Sequence, residues 1–414
     1  MSDTKQPILV EVTAPVYGGE CIGRLPDGRA VFVPYSLPGE QVRVELVEEK
    51  RGFARARLLE VVRPAPERIA PRCAHYGVCG GCHYQHTDYA TQLKIKGRVV
   101  HDQLERIGGI TNPPVAEIVP SPAAWNYRNT VQFHITSDGK IGYQGWGTHR
   151  VVPITECHLP EDALNQIWPQ LDLEPLPGIE RIDLRLGAED EALLALESSE
   201  LTAPEFSVDF PLSAVHLSPA GKLILAGDDY LLMKINGRVF KVSAESFFQV
   251  NTAQAEAMVN HVLDVLQLDE NKTVLDVYCG VGLFSAFIAP RVKRCIGVEL
   301  LESACDDYAV NLDEFENVEL YVGAAEDILP GLDVRPDIVV VDPPRVGIER
   351  AALDALIHLQ PRTIAYVSCD PATLARDVKR LVAGGYNLQQ VTPFDLFPQT
   401  YHVEVVCLLE RVTS

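Results

Sequence analysis

The sequence predicts a protein of the α/β class, in which a doubly wound parallel sheet follows a small β-barrel and a strand-rich central segment. Short β-branched runs separated by glycine and proline turns occupy residues 8–63, and further strand-like runs extend over residues 115–235. From about residue 240 onwards, strand-like and helical stretches alternate. That alternation is typical of a parallel sheet with helices on both of its faces.

The composition is that of a globular protein, with 47% hydrophobic and 22% charged residues in a chain of 414. This length predicts two or three domains. No apolar run is long enough to span a bilayer, and the first residues lack the layout of a signal peptide. We therefore expect a cytoplasmic protein without a membrane partner, in which the ten cysteines are reduced thiols, metal ligands or catalytic groups.

The formal net charge of −21 excludes a protein that wraps nucleic acid by bulk electrostatic attraction. Binding of RNA would have to depend on local features. The five strands expected over residues 8–63 suggest a barrel of the OB type, a fold that often binds RNA. Residues 48–57 gather four basic residues around Phe53, which indicates either an RNA-binding surface or an ordinary solvated hairpin.

The pattern of turns and linkers divides the chain into three domains. Pro64 and Pro66 mark a linker after the barrel, and apolar residues at helical spacing predict a helix from about Tyr89 to Ile107. The predicted domains are the barrel, a central domain and the α/β domain, at residues 1–63, at 64–88 with 115–238, and at 89–114 with 239–414. The acidic, proline-rich segment 160–225 suggests no chemistry.

The segment LDVYCGVGLFS at residues 275–285 predicts a ligand-binding loop after the first strand of the α/β domain. Gly280 and Gly282 let the backbone approach a ligand closely at the start of a helix. Glu299 ends the next strand, 23 residues after Asp276. A carboxylate at that place can accept hydrogen bonds from both hydroxyls of a ribose.

Two features that the loop lacks indicate which class of ligand it would bind. Position 285 is serine, so the third glycine of the dinucleotide fingerprint is missing, and the loop has no Walker lysine. Both absences favour S-adenosylmethionine over nicotinamide or nucleoside triphosphates, although a plain tight turn stays possible. Asp342 ends a later strand, and Pro343-Pro344 give a rigid turn at the same sheet edge, where a planar base could be held beside a methyl donor.

Cys369, in the sequence YVSCDPATL, follows another strand-like run at this edge. A free cysteine is most often a small buried hydrophobic residue, so a purely structural role stays open. The polar neighbours favour a reactive thiol instead. Because Asp370 would raise the thiol pKa, a cation must offset it, and Arg345 and Arg376 are the candidates.

Methylation of uracil at carbon 5 is a reaction that could use such a thiol. Carbon 5 of uracil is a poor nucleophile, but thiolate addition at C6 converts the ring into an enolate that can attack a methylsulfonium. A base must then remove the proton on C5 so that the cysteine can leave. Glu404, in TYHVEVVCLLER, is the candidate base, although it could also be an exposed strand residue.

The sequence resembles the class I RNA 5-methyluridine methyltransferases, which modify tRNA or 23S rRNA. The motifs that carry the resemblance are SFFQVN (246–251), LDVYCGVG (275–282), VVVDPPRVG (339–347), YVSCDPATL (366–374) and HVE (402–404). The resemblance implies that Cys369 is the nucleophile and Glu404 the C5 proton acceptor. It also implies a TRAM-type barrel, a Rossmann-like methyltransferase domain, and contacts to S-adenosylmethionine from Gln249, Tyr278, Gly280, Glu299 and Asp342.

A cysteine cluster in PRCAHYGVCGGCHYQH has the spacing C-x5-C-x2-C, formed by Cys73, Cys79 and Cys82, and Cys157 is a distant fourth thiol. Zinc is the simplest alternative, but its usual pattern is two C-x2-C pairs. Three cysteines on one loop with a remote fourth are closer to iron–sulfur ligation. In the family that the chain resembles, this pattern holds a [4Fe–4S] cluster.

The expected partner is therefore structured RNA, with 23S rRNA favoured and the tRNA T-loop as the alternative, bound by a monomer. Aromatic and basic residues in AAWNYRNTVQFHI suit an unstacked base. Two other functions stay open: cytosine-C5 methylation, and RNA binding by an iron–sulfur protein without methyltransferase activity. The candidate basic residues for RNA are Arg51, Arg55, Arg57, Lys94, Lys96, Arg98, Arg128 and Arg150.

Overall fold

A computed structural model describes residues 6–171, 178–189, 191–204 and 211–412. Parts of the acidic segment 160–225 lie outside these ranges. The eight α-helices of the described residues are α1 (Tyr89–Arg106), α2 (Asp162–Ile167), α3 (Thr252–Val265), α4 (Ser285–Ile288), α5 (Glu302–Asn311), α6 (Ala325–Ile328), α7 (Arg350–Leu359) and α8 (Pro371–Ala383). In this part of the chain, no helix combines the length and the apolar character needed to cross a bilayer.

The N-terminal strands form a closed barrel in the order β1-β2-β3-β5-β4, as the sequence predicted. They are β1 (Ile8–Pro15), β2 (Glu20–Arg24), β3 (Ala30–Pro34), β4 (Gln41–Glu49) and β5 (Phe53–Arg63). Alternate residues point inward, so that valine pairs two positions apart on β1, β3 and β4 fill the barrel core. Closure leaves no free sheet edge in this small domain.

The central segment forms a seven-stranded sheet in the order β12-β11-β10-β9-β6-β7-β8. Its strands are β6 (Thr130–Ile135), β7 (Ile141–Gln144), β8 (Val151–Pro153), β9 (Ile179–Leu186), β10 (Ala192–Ser198), β11 (Ser213–Ser218) and β12 (Gly221–Ala226). Phe133, Leu184 and Leu194 form part of its core with Trp168, which lies after α2. A hairpin of β13 (Tyr230–Ile235) and β14 (Arg238–Ser243) follows and packs on α3 through Phe240 and Met258.

The C-terminal part is a second seven-stranded sheet, in the order β17-β16-β15-β18-β19-β21-β20. Its strands are β15 (Thr273–Val277), β16 (Arg294–Glu299), β17 (Val318–Val322), β18 (Ile338–Val341), β19 (Thr363–Ser368), β20 (Tyr386–Phe394) and β21 (Glu404–Arg411). One apolar core includes residues of α3, α4 and α5, and another includes residues of α1, α7 and α8. The sheet is therefore doubly wound, as predicted.

The alternation of strands and helices predicted a parallel sheet, and the structure differs at one strand. β15 to β19 pair in parallel, but β21 runs antiparallel to both β19 and β20. β21 follows β20 without an intervening helix, so it enters the sheet as the second strand of an antiparallel pair. This reversal brings the start of β21 to the carboxyl ends of the parallel strands, where ligands bind in such sheets.

Candidate active site and four-cysteine site

The reversed strand places Cys369 and Glu404 opposite each other. The last rung between β19 and β21 pairs Ser368 with Val405. Cys369 directly follows Ser368, and Glu404 directly precedes Val405, so the antiparallel register aligns the next two residues. The nucleophile and the base suggested by separate motifs thus lie across one strand pair at the sheet edge.

Glu404 is buried rather than an exposed strand residue, with 5% of its surface exposed. Burial, and secondarily the nearby Asp342 carboxylate, raise the pKa of Glu404 to about 8, while Arg345 opposes this shift. A carboxyl group with such a pKa exchanges its proton near neutral pH, as a general base must.

Cys369 is half-buried and faces more negative than positive charge. Burial, then Glu404 and Asp342, raise the pKa of the Cys369 thiol to about 12, and Arg345 opposes this shift. The free thiol is therefore protonated at neutral pH. Its activation requires either closer approach of Arg345 or protonation of the neighbouring carboxylates.

Asp370, whose charge the sequence analysis identified as an obstacle, is engaged by other groups. One carboxylate oxygen caps α8 by accepting from the backbone N–H groups of Ala372 and Thr373, each at 2.9 Å. The other accepts a 2.6 Å hydrogen bond from the Tyr17 hydroxyl. Asp370 is the weakest of the influences that raise the pKa of Cys369. The turn after β1 of the barrel thus reaches the loop of Cys369 through Tyr17, a contact that no sequence pattern signalled.

The two arginines proposed as cations for the thiol have different positions. Arg345 is the one that lowers the pKa of Cys369. Arg376 instead pairs with Asp377 at 2.8 Å and donates to the backbone oxygen of Val346 at 2.9 Å. Arg376 therefore links α8 to Val346, directly after the Asp-Pro-Pro-Arg loop (residues 342–345). Arg345 instead faces the candidate active site.

The glycine loop after β15 has the form expected for a ligand site. The backbone N–H of Gly280 donates to Glu299 at 2.9 Å, which holds that carboxylate at the end of β16. Gly282 has a φ of +92°, and a Cβ there would lie 2.4 Å from Leu312. Tyr278 has a φ of +64°, which is unusual for a tyrosine and often marks a functional loop.

Two further carboxyl groups lie beside this loop. Burial raises the pKa of Asp276 to about 7, and burial with the charge of Asp276 raises that of Asp342 to about 7. One oxygen of Asp276 accepts from Ser285 at 2.6 Å, whereas the other has no partner within the described residues. Gln249, the remaining predicted cofactor contact, is buried just ahead of α3, and its role stays a prediction.

Cys73, Cys79, Cys82 and Cys157 line one cavity of about 420 Å³, which extends to Arg345. All four are free thiols. Within the described residues, no three of their sulfur atoms lie within 4.8 Å of one another. Tetrahedral zinc bonds to sulfur would bring the four sulfurs to about 3.8 Å from each other.

The surroundings of these thiols favour a bound cationic centre. Burial is the main cause that raises the pKa of each of the four thiols. The charge of other cysteines in the group also raises the pKa of Cys73, Cys79 and Cys82, and the charge of Glu156 raises that of Cys157. Their joint deprotonation therefore needs a metal. Backbone N–H groups of His75 and Gly81 point at the sulfurs of Cys73 and Cys79, each at 3.4 Å, as suits bound thiolates.

The basic residues proposed for RNA binding are not all accessible. Lys96 is buried and forms an ion pair with Asp395, so its place in an RNA-binding patch was wrong. Arg55 and Arg57 pair with Glu20 and Glu45 on the barrel. Arg128 lies over the rings of Tyr127 and Phe397, with centroid distances of 5.7 and 5.9 Å, and it lines the four-cysteine cavity.

Comparison with known proteins gives a consistent result. Residues 197–412 match the family described as tRNA (Uracil-5-)-methyltransferase, and residues 4–59 match the TRAM domain. An RNA methyltransferase from Gloeobacter violaceus is 34% identical, over 98% of this chain and 97% of its own. Another from Nostoc sp. is 35% identical, over 94% of this chain and 93% of its own.

A solved structure resembles almost the whole chain. It is the Pyrococcus abyssi tRNA (uracil-54, C5)-methyltransferase in complex with S-adenosyl-L-homocysteine. The TM-score is 0.72 at 27% sequence identity, covering 97% of this chain and 100% of the other. The similarity thus includes the barrel, the central sheet and the α/β sheet together.

Proposed function

Since this chain belongs to the tRNA (uracil-5-)-methyltransferase family, we propose that it methylates carbon 5 of a uridine in structured RNA through a covalent bond between Cys369 and uracil C6. The observation that carries this proposal is the alignment of Cys369 with Glu404 across the β19–β21 pair. A nucleophile and a buried carboxyl group with a raised pKa can then act on adjacent carbons of one ring.

In the proposed reaction, the Cys369 thiolate, having lost its proton to solvent, forms a bond to C6 and pushes electrons into the ring. Carbon 5 then takes the methyl group of S-adenosylmethionine, whose methyl–sulfur bond breaks so that S-adenosylhomocysteine leaves. Glu404 removes the proton from C5, and the bond between sulfur and C6 breaks to restore the thiolate. Arg345 stabilises the thiolate before attack and after elimination.

The residues of the glycine loop fit S-adenosylmethionine. Glu299 is fixed by Gly280 at the strand end where a ribose would lie. One oxygen of Asp276, which has no partner in the part of the chain that the structure describes, and the half-buried Asp342 offer further acceptors beside it. We propose that Gln249, Tyr278, Gly280, Glu299 and Asp342 contact this methyl donor.

The four cysteines fit a [4Fe–4S] cluster better than a single zinc ion, because within the described residues no three of their sulfurs lie as close together as zinc-bound thiolates would. We propose that Cys73, Cys79, Cys82 and Cys157 hold the cluster. Methyl transfer requires no electron, so the cluster would join the loop of Cys73, Cys79 and Cys82 to the segment after β8 that carries Cys157, and would position the RNA.

We expect anaerobically purified protein to contain about four iron and four sulfide ions per chain, as measured by elemental analysis and visible absorption. Cys157→Ser should lower the iron content and the thermal stability together. Cys21→Ala is the control, because that thiol lies in the barrel core and should leave the iron unchanged. Stoichiometric zinc without iron would contradict the assignment.

The substrate is proposed to be a hairpin of 23S rRNA, with the chain acting as a monomer. A tRNA T-loop is the second candidate, since the similar Pyrococcus abyssi enzyme acts on uracil-54 of tRNA. We expect cells that lack this gene to lose 5-methyluridine at one rRNA position, detected by mass spectrometry of RNase fragments. Loss from tRNA alone would support the second candidate, and unchanged 5-methyluridine in both RNAs would refute the proposed function.

A further inference from the structure

A second cleft, of about 460 Å³, lies beside the candidate active site. It is formed where the turn after β1, the four-cysteine loop, the hairpin after β7 and the segment before β21 meet. His402, two residues before Glu404, lines it, whereas Cys369 and Glu404 do not. The cleft is therefore a neighbour of the proposed uracil site and not a part of it.

Aromatic rings form the walls of this cleft. The ring centroids of His83 and Trp146 are 4.4 Å apart, and those of His83 and Tyr401 are 4.6 Å apart. Tyr401 and His402 lie 4.2 Å apart with their planes tilted by 37°. Such rings are the surfaces on which proteins stack unpaired bases.

The turn between β1 and β2 of the barrel packs closely against these rings. Gly19 has a φ of +84°, and a Cβ there would lie 3.1 Å from both Trp146 and Tyr401. Any larger residue would push the barrel turn away from the rings. The adjoining Tyr17 ties the same turn to Asp370, so the cleft and the catalytic loop are held by one turn.

The cleft also contains a buried polar group without a partner. His83 is only 6% exposed, and its Nδ1 has no hydrogen-bond partner within the described residues. Its backbone is fixed, because its N–H donates to Gln399 at 2.7 Å. An unpaired buried ring nitrogen is costly, and a ligand with a complementary group would satisfy it.

The charge of the cleft selects among ligands. The described residues that line it include no lysine, arginine, aspartate or glutamate. Burial, with the nearby Arg345 and Arg128, lowers the pKa of His402 to about 3, so this imidazole is neutral. Within the described residues the lining offers a phosphate no lysine or arginine side chain, whereas a flat, uncharged base finds rings and a hydrogen-bonding nitrogen.

We propose that this cleft binds a second nucleobase of the substrate RNA, one that flanks the target uridine and leaves its stack together with it. The proposal rests on the proposed RNA methylation and adds a specificity site to it. Trp146 and Tyr401 would stack the base, and His83 would read one of its edges.

The test uses the RNA hairpin that the mapping experiment identifies, with each unpaired nucleotide near the target replaced in turn by an abasic ribose. Affinity is measured by fluorescence anisotropy without S-adenosylmethionine, so that binding is separated from catalysis. The proteins compared are the wild type, Trp146→Ala, Trp146→Phe and the control Leu232→Ala. Leu232 is 43% exposed on β13, away from the cleft.

We expect one abasic position to weaken wild-type binding about tenfold or more, and to have no further effect in Trp146→Ala. Trp146→Phe, which keeps an aromatic ring, should restore most of the loss, and Leu232→Ala should behave as the wild type. If the loss of affinity caused by the abasic ribose and the loss caused by Trp146→Ala multiply at every position, the two changes act independently. That result would overturn the proposal. If the losses of affinity are coupled but the protein does not methylate the RNA, the result would support base binding in the cleft and contradict the proposed reaction.

Discussion

We expect Cys369→Ala to lower the single-turnover rate of uridine methylation to below about a thousandth of the wild-type rate, because no other group in the site can activate C6. The variant should still bind S-adenosylmethionine and RNA, since the substitution removes one sulfur atom and leaves the glycine loop unchanged. Methyl transfer to RNA and the two affinities, measured on the same preparation, check both parts.

Cys407→Ala is a matched control for this substitution. Cys407 is a buried thiol on β21, in register with Tyr366 of β19 and two rungs from the end of the pairing. Its loss should reduce stability slightly and leave methylation close to normal. Full methylation by Cys369→Ala would contradict the covalent mechanism directly.

Glu404→Gln should trap the reaction after methyl transfer. The amide cannot take the proton from C5, so the bond between Cys369 and C6 cannot break by elimination. A protein–RNA adduct that survives denaturation should accumulate to about one per chain, visible as a shifted gel band and by mass spectrometry. The raised pKa of Glu404 shows that its site tolerates a neutral group, so we expect this variant to fold.

Two controls make the trapping result specific. The double variant Cys369→Ala with Glu404→Gln should form no adduct, because the nucleophile is missing. Glu410→Gln changes a carboxylate near the other end of β21 and should turn over normally. Normal turnover by Glu404→Gln, without an adduct, would exclude Glu404 as the proton acceptor and direct attention to Asp342.

The position of β21 explains why the sequence suggested Cys369 and Glu404 separately but did not show that they lie together. The run before Cys369 was recognisable as a strand, and the chemistry of uracil suggested Glu404. Whether the two could meet depended on the reversed direction of β21 between β19 and β20. That pairing joins residues far apart in sequence, which local patterns do not report.

The sequence also does not show which charged residues are buried or which groups they contact. Lys96 looked like one of several basic residues available to RNA, but it lies in the interior against Asp395. Helical spacing places a residue on one face of a helix without stating which charges oppose that face. Likewise, the sequence did not show that Tyr17 and the α8 backbone bind Asp370, or that Asp370 raises the thiol pKa less than Glu404 and Asp342 do.

The sequence by itself determined the closed barrel, the doubly wound sheet and the family, and it pointed to a glycine loop and a cysteine loop whose ligands stay a prediction. These features depend on turns, alternation and short motifs, in which neighbouring residues carry the information. Only the tertiary structure decided that Cys369 and Glu404 lie next to each other across a strand pair, that Arg345 lowers the pKa of the thiol, and that a cleft with aromatic walls adjoins them. Each of these depends on contacts between distant segments, because burial and charge are set by packing.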